Sequence, residues 1–150
     1  FSPDMNISRG MFVTVLARLS GADLSSYTAS SFKDVKAGSY YAGAIEWAAK
    51  NGIAKGISET EFAPDADITR EQMAVMMTNY AKAMGITLPK TVEKTVFADN
   101  GKISAYAANA VETMQTAGLI SGKNNNLFDP QGTATRAEVC SLLERFINLK

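Results

Sequence analysis

The stretch FAPDADITR, Phe62 to Arg70, decides how this chain is read, because it has two counterparts: FSPDMNISR from Phe1 and FDPQGTATR from Phe128. The second begins 61 residues after the first, and the third 66 after the second. Apolar positions beyond each arginine keep the same register. Phe12, Val15, Leu16 and Leu19 correspond to Met73, Met76, Met77 and Tyr80, and to Val139, Leu142, Leu143 and Phe146. Offsets of 0, 3, 4 and 7 fall on one face of an α-helix. The chain is a repeat protein.

Each repeat has a second half. SFKDV from Ser31 and AIEWAAKNGIAKG from Ala44 return as VFADN from Val96 and AVETMQTAGLISG from Ala110. Phe32 thus pairs with Phe97, Asp34 with Asp99, Tyr40 with Tyr106, Gly52 with Gly118 and Gly56 with Gly122. The count is one half repeat and two whole ones: 1–30, 31–90 and 91–150. The spacing predicts a helix over 40–51 and 106–117, buried through Ile45, Ala48, Ala49 and Gly52, and stopped at Gly52 and Gly118, where φ > 0 carries no Cβ strain. A second helix starts at Ser8, Thr69 and Thr135. Thr69 with Gln72 and Thr135 with Glu138 form capping boxes, whereas Ser8 faces Met11 and its box is incomplete. Segments 21–31 and 86–95 read as connections between repeats. Met73, Met76, Met77 and Met84 read as an adaptable core, Trp47 as core, and Cys140 as a small core residue beside the last apolar stripe.

Composition limits what the chain can do. With 150 residues, 46% of them apolar, it suits one all-α domain. Fifteen basic residues balance 15 acidic ones, so no general basic field exists for nucleic acid or an anionic membrane. No apolar run approaches the roughly 18 residues that would span a bilayer, so membrane insertion is not expected. One cysteine forms no internal disulfide, and no signal-peptide pattern opens the chain, so any export signal is expected upstream. Without histidine there is no Ser-His-Asp triad and no histidine metal site, and no cofactor is implied. Asp65 and Asp67 become Gln131 and Thr133 in the third copy, which suits turn formation rather than glycoside chemistry.

One residue type resists the capping logic. Arg9, Arg70 and Arg136 each follow a helix cap, where exposed amides already carry partial positive charge and an acidic residue is the default. Something anionic must compensate. It is either a carboxylate of the chain, such as Asp34, Asp99 or Asp65, or an external anion held by guanidinium and helix end together. Tyr40 and Tyr106 sit at equivalent helix starts and suit either core or the wall of a ligand site.

In order, spacing and repetition, F-x-D-V, Tyr-Tyr-x-x-Ala-Ile-x-Trp-Ala, Gly and F-x-P-x-x-x-I-T-R-E resemble the S-layer homology domain, whose hallmark is I-T-R-A-E. ITRE at Ile68, ATRAE at Ala134 and ISRGM at Ile7 are its three versions here. The resemblance implies an all-α, pseudo-threefold assembly of helix-loop-helix motifs with grooves between neighbours. It implies an extracellular location at a bacterial cell surface, anchoring an exported protein non-covalently by binding a secondary cell-wall polysaccharide attached to peptidoglycan. Pyruvylated amino sugars would present their carboxylates to Arg9, Arg70 and Arg136. Asp34, Asp99, Tyr40, Tyr106, Gly56 and Gly122 are further groove candidates. Because the first helix of the first copy is not in the sequence, an exposed apolar face, a weaker first site and self-association of this truncated form are expected. The competing readings are a helical-repeat module that grips protein partners, and a structural segment of a surface lattice.

Overall fold

The computed structural model describes residues 4–149, so Phe1, Ser2 and Pro3 of the first motif, and Lys150, lie outside the described residues. It contains five α-helices: α1 (Arg9–Ser20), α2 (Ala42–Lys50), α3 (Arg70–Ala83), α4 (Ala108–Thr116) and α5 (Arg136–Ile147). Among the described residues there is no β-strand, only isolated bridges.

Local chemistry explains the helix boundaries. Thr69 and Thr135 accept the amides of Gln72 and Glu138, whose side chains reach back to the cap amides, completing both capping boxes. Ser8 accepts from Met11 without a return bond. Gly52 and Gly118 lie at φ 69° and 75°, immediately beyond α2 and α4. The tyrosine ends are shorter than the spacing suggested: α2 starts at Ala42 and α4 at Ala108, leaving Tyr40 and Tyr106 in the preceding turns.

The three I-T-R segments meet on one axis. Ile68 N donates to Ile7 O at 2.9 Å, Ile7 N to Ala134 O at 3.2 Å, and Ala134 N to Ile68 O at 2.9 Å, so the repeats close into a ring. All three residues are buried, which explains an apolar residue at this register in every copy. The helices pack outward from it, α2 against α1 and α4 against α3. One continuous core fills the interior around Phe12, Phe62 and Phe128, with Ile45, Met73, Met77 and Leu142. No helix is long and apolar enough to cross a membrane.

Several expected core positions differ. Leu19 is 36% exposed at the last turn of α1, Ala49 is half-buried, Gly52 is exposed, and Met84 is only partly buried. Cys140 is also exposed, because one step off the apolar stripe turns it toward a cleft between α1 and α5. That cleft, about 430 Å³, is lined by Met11, Val15, Val139 and Leu143, with Arg136 and Tyr40 at its end.

Candidate binding grooves between repeats

The positive helix ends are answered from within the fold. Arg9 N donates to Ala66 O, Arg70 N to Gly132 O and Arg136 N to Met5 O, at 2.8–2.9 Å. The next amides, of Gly10 and Glu71, donate to Pro64 O and Pro130 O. At α1 and α3, with the third amide held by the cap, the free N–H groups that would attract an external anion are used up, and a cation at the first helical position meets little opposing charge. At Arg9 and Arg70, therefore, the helix end has no free amide to share with the guanidinium in holding an outside anion.

Arg9 and Arg70 are embedded alike. Arg9 Nε donates to Phe62 O at 3.0 Å and Nη2 to Lys55 O at 2.9 Å; Arg70 Nε donates to Phe128 O at 2.8 Å and Nη2 to Ser121 O at 2.9 Å. Each guanidinium lies over the phenylalanine ring of the same loop, at 4.6 and 5.0 Å. Burial pulls the Arg9 pKa down, opposed by Tyr106 and Asp34, and Arg9 stays charged. Arg136 Nε is buried with no hydrogen-bond partner among the described residues, and the residue equivalent to Phe62 and Phe128, Phe1, lies outside them.

The remaining guanidinium nitrogen distinguishes the grooves. Arg70 Nη1 pairs with Glu138, the carboxylate that also caps α5. Gln72 occupies that register in the second copy, and Arg9 Nη1 has no hydrogen-bond partner among the described residues. For Arg70 the internal carboxylate is thus Glu138 rather than Asp34, Asp99 or Asp65, whereas Arg9 feels the charge of Asp34. A Glu at the third helical position reads in sequence as a cap alone, and only the ring closure shows that it faces the previous arginine.

The aspartates have a different task. Asp34 accepts the amides of Phe62 and Ala63 at 2.9 and 2.7 Å, and Asp99 those of Phe128 and Asp129, both at 2.8 Å. Ala63 and Asp129 sit at φ 57° and 60°, so a two-pronged acceptor fixes a left-handed kink. Asp65 instead accepts the Tyr41 hydroxyl at 3.1 Å. Gly56 and Gly122 face the rings of Phe32 and Phe97, where a Cβ would stand 2.6 and 2.7 Å from ring carbons. Those rings pack on Phe62 and Phe128 at 5.4 and 5.3 Å. Glycine, two phenylalanines, aspartate and arginine thus form one joint, built twice.

Tyr40 and Tyr106 are 61% and 63% exposed and do not belong to the core. Tyr106 donates to Glu71, which also accepts the amide and hydroxyl of Ser104. Burial raises the Tyr106 pKa, and the Glu71 charge adds to it. Glycine at position 10 has a local reason: a Cβ there would stand 2.6 Å from the Tyr41 ring. In the next copy Ala107 replaces that tyrosine, leaving room for Glu71.

Between α3 and α5 the joint opens into a groove of about 270 Å³. Arg70, Lys123 and Arg145 line it, with Ser141 on the α5 wall. Lys123 Nζ donates to Asp129 at 2.7 Å and is 45% exposed, which leaves two of its three donors for other partners. Among the described residues no three His, Cys, Asp or Glu side chains could hold a metal ion together.

These features define a closed helical-repeat domain with charged grooves at the joints. The model of the S-layer homology domain matches residues 31–74 and 96–140, more than half of the chain. The chain belongs to the S-layer homology domain family. It is 33% identical over 143 residues to an amylopullulanase of Thermoanaerobacterium thermosulfurigenes, covering 95% of this chain and 8% of that protein. It is 31% identical over 148 residues to a cellulosome-anchoring protein of Acetivibrio thermocellus, covering 97% of this chain and 33% of that protein. It is 29% identical over 150 residues to the surface-layer 125 kDa protein of Lysinibacillus sphaericus, covering 98% and 12%. The chain thus spans a third or less of each of these relatives.

Proposed function

We propose that this chain is a non-catalytic anchor that holds an exported protein at a bacterial cell surface by binding an acidic secondary cell-wall polysaccharide in its inter-repeat grooves. The observation that carries this reading is electrostatic: in a chain of zero net charge, Arg70, Lys123 and Arg145 gather around one groove whose lining holds a single carboxylate, Glu138, itself paired with Arg70. A pyruvylated amino sugar would set its carboxylate against Lys123 and Arg145 there, with Arg70 as the fixed charge behind them. In the neighbouring joint Nη1 of Arg9, which has no hydrogen-bond partner among the described residues, would take a carboxylate directly. Arg136 is the third candidate. Asp34, Asp99, Gly56 and Gly122 shape these sites from behind, while exposed Tyr40 and Tyr106 offer rings at the rims. Relatives named as a cellulosome-anchoring protein and a surface-layer protein support the location.

The test is calorimetric titration of the chain with purified pyruvylated wall polysaccharide, before and after acid removal of the ketal, beside a Lys123→Ala/Arg145→Ala variant. Binding to the intact polymer, lost on stripping and weakened in the variant, is expected. Equal binding to both polymers would remove the carboxylate from the recognition. Failure to bind the intact polymer would favour a protein-interaction module, a reading that the apolar cleft between α1 and α5 also serves.

A further inference from the structure

Asparagine precedes glycine twice, at Asn51-Gly52 and at Asn100-Gly101; each of the other asparagines precedes a residue with a side chain. The pair carries chemistry of its own. The main-chain nitrogen after an asparagine lies within reach of the side-chain Cγ, and glycine leaves it least shielded because no Cβ stands beside it. In a folded chain the attack needs two freedoms: an amide N–H not committed to an acceptor, and a side chain that can turn toward it.

The fold treats the two pairs differently. Asn51 ends α2, where its Nδ2 donates to Trp47 O at 2.8 Å and the Gly52 amide donates to Ala49 O at 3.3 Å. The next two residues, Ile53 and Ala54, are buried, and both donate to Ala48 O. Both reacting groups are held, and moving them unseats part of the core.

Asn100 and Gly101 lie in an exposed single turn of 3-10 helix, Asn100–Lys102, directly after Asp99. Neither the Gly101 N–H nor the Asn100 side chain donates to any described residue. A Cβ added at Gly101 would meet nothing within 4 Å, so the space beside the attacking nitrogen is open. Lys102 N donates to Asp99 O at 2.8 Å and Ile103 N to Asn100 O at 3.2 Å, closing the turn. So short and exposed an element opens locally at little cost.

We infer that Asn100 is a site of spontaneous covalent modification, ageing through a succinimide to aspartate and isoaspartate, whereas Asn51 is protected. Gly101 N loses its proton to water and bonds to Asn100 Cγ, and the side-chain nitrogen leaves as ammonia. Water then opens the ring. Cleavage of the N–Cγ bond gives aspartate; cleavage of the original peptide C–N bond gives isoaspartate, whose main chain runs through the side-chain methylene.

Position gives the change a structural consequence. Either product adds a negative charge next to Asp99, whose carboxylate clamps the Phe128 and Asp129 amides. Isoaspartate also lengthens the main chain by a methylene, which the closed turn cannot absorb. Gln131 Nε2 donates to Lys102 O at 2.8 Å, and Phe128 O accepts from Arg70, so the disturbance reaches the joint between the second and third repeats.

The test incubates the full chain at mildly alkaline pH, folded or in urea, before digestion with trypsin, which places the two asparagines on separate peptides, 51–55 and 95–102. Mass spectrometry reads amide-to-acid conversion, and an isoaspartyl methyltransferase reads the rearranged product. In the folded chain Asn100 is expected to convert about tenfold faster than Asn51, because the hydrogen bonds that hold Asn51 and Gly52 must break first. In urea the two rates should converge. Gly101→Ala, whose methyl meets open space, should fold normally and suppress conversion at Asn100. Aged wild type should melt about 2–4 °C below fresh protein, and aged Gly101→Ala should not. Equal rates at the two sites in the folded chain, or conversion of Asn51 first, overturns the assignment. So does an Asn100 that converts in urea but stays intact when folded. An unchanged melting temperature in a sample shown to be converted overturns the link to the joint.

Discussion

Asp99 receives the amide of Phe128 on one carboxylate oxygen at 2.8 Å and that of Asp129 on the other, tying the start of a repeat to the loop that ends it. Burial pushes the Asp99 carboxyl up, but the amides of Phe128, Asp129 and Asp99 itself, with Lys102, outweigh it and hold it below the ordinary carboxylate value. A depressed folded-state pKa contributes stability that is present above the unfolded value of about 3.9 and is lost as pH falls through the folded one. Asp99→Asn takes a charged acceptor from two backbone amides and, screened by solvent, should cost about 1 kcal/mol at neutral pH. Its deficit relative to wild type should shrink in thermal melts taken below about pH 4. A deficit that stays constant down to pH 2 would contradict this role.

Glu138 both caps α5 and occupies Arg70 Nη1. Glu138→Gln keeps the cap, as Gln72 does in the second copy, and frees the guanidinium edge. Affinity for a carboxylate-bearing sugar should rise by several-fold to about tenfold, or about 1.4 kcal/mol. The reverse change, Gln72→Glu, should give Arg9 an internal partner and lower affinity in that groove. Titration of both variants decides the matter, and opposite signs are required.

The two classes of glycine should respond differently to alanine. Gly56→Ala drives a methyl into the Phe32 ring and backbone carbonyls, and overpacking of this kind costs about 1–3 kcal/mol. Gly52→Ala meets open space and pays only for a left-handed backbone, about 1–2 kcal/mol. Urea unfolding should rank Gly56→Ala as the more damaging, and Gly56→Ala should also loosen the groove-forming loop in hydrogen exchange.

Arg70→Ala removes a buried cation from Phe128 O, Ser121 O and Glu138 together, and losses of this kind reach about 3–5 kcal/mol. Lys123→Ala disrupts only an exposed pair, worth about 0–1 kcal/mol. Denaturation midpoints should separate the two clearly. Loss of ligand binding in Arg70→Ala therefore cannot be read without a folding control, whereas loss in Lys123→Ala can.

What was legible in the sequence is what the chain settles locally. Capping boxes at Thr69 and Thr135, glycine stops at Gly52 and Gly118, buried Trp47 and the helical stripes all depend on neighbours within a few residues. The all-α threefold arrangement followed from repetition and from the family likeness. What escaped depends on partners one repeat away. The Glu138 carboxylate on Arg70, the carbonyls on the helix amides and the aspartate clamps on the kinked loops appear only once the ring has closed. Cys140 and Tyr40 were misjudged or left open for a related reason: their exposure depends on which neighbouring helix stands beside α5 and α1.

The ring through Ile7, Ile68 and Ala134 sets how such a domain bears load. In an open solenoid the end units can peel away singly under tension. Here the first and last copies clasp each other directly, so a pull on either end of the chain is shared among three interlocked backbones. Rupture then requires the whole clasp to fail at once.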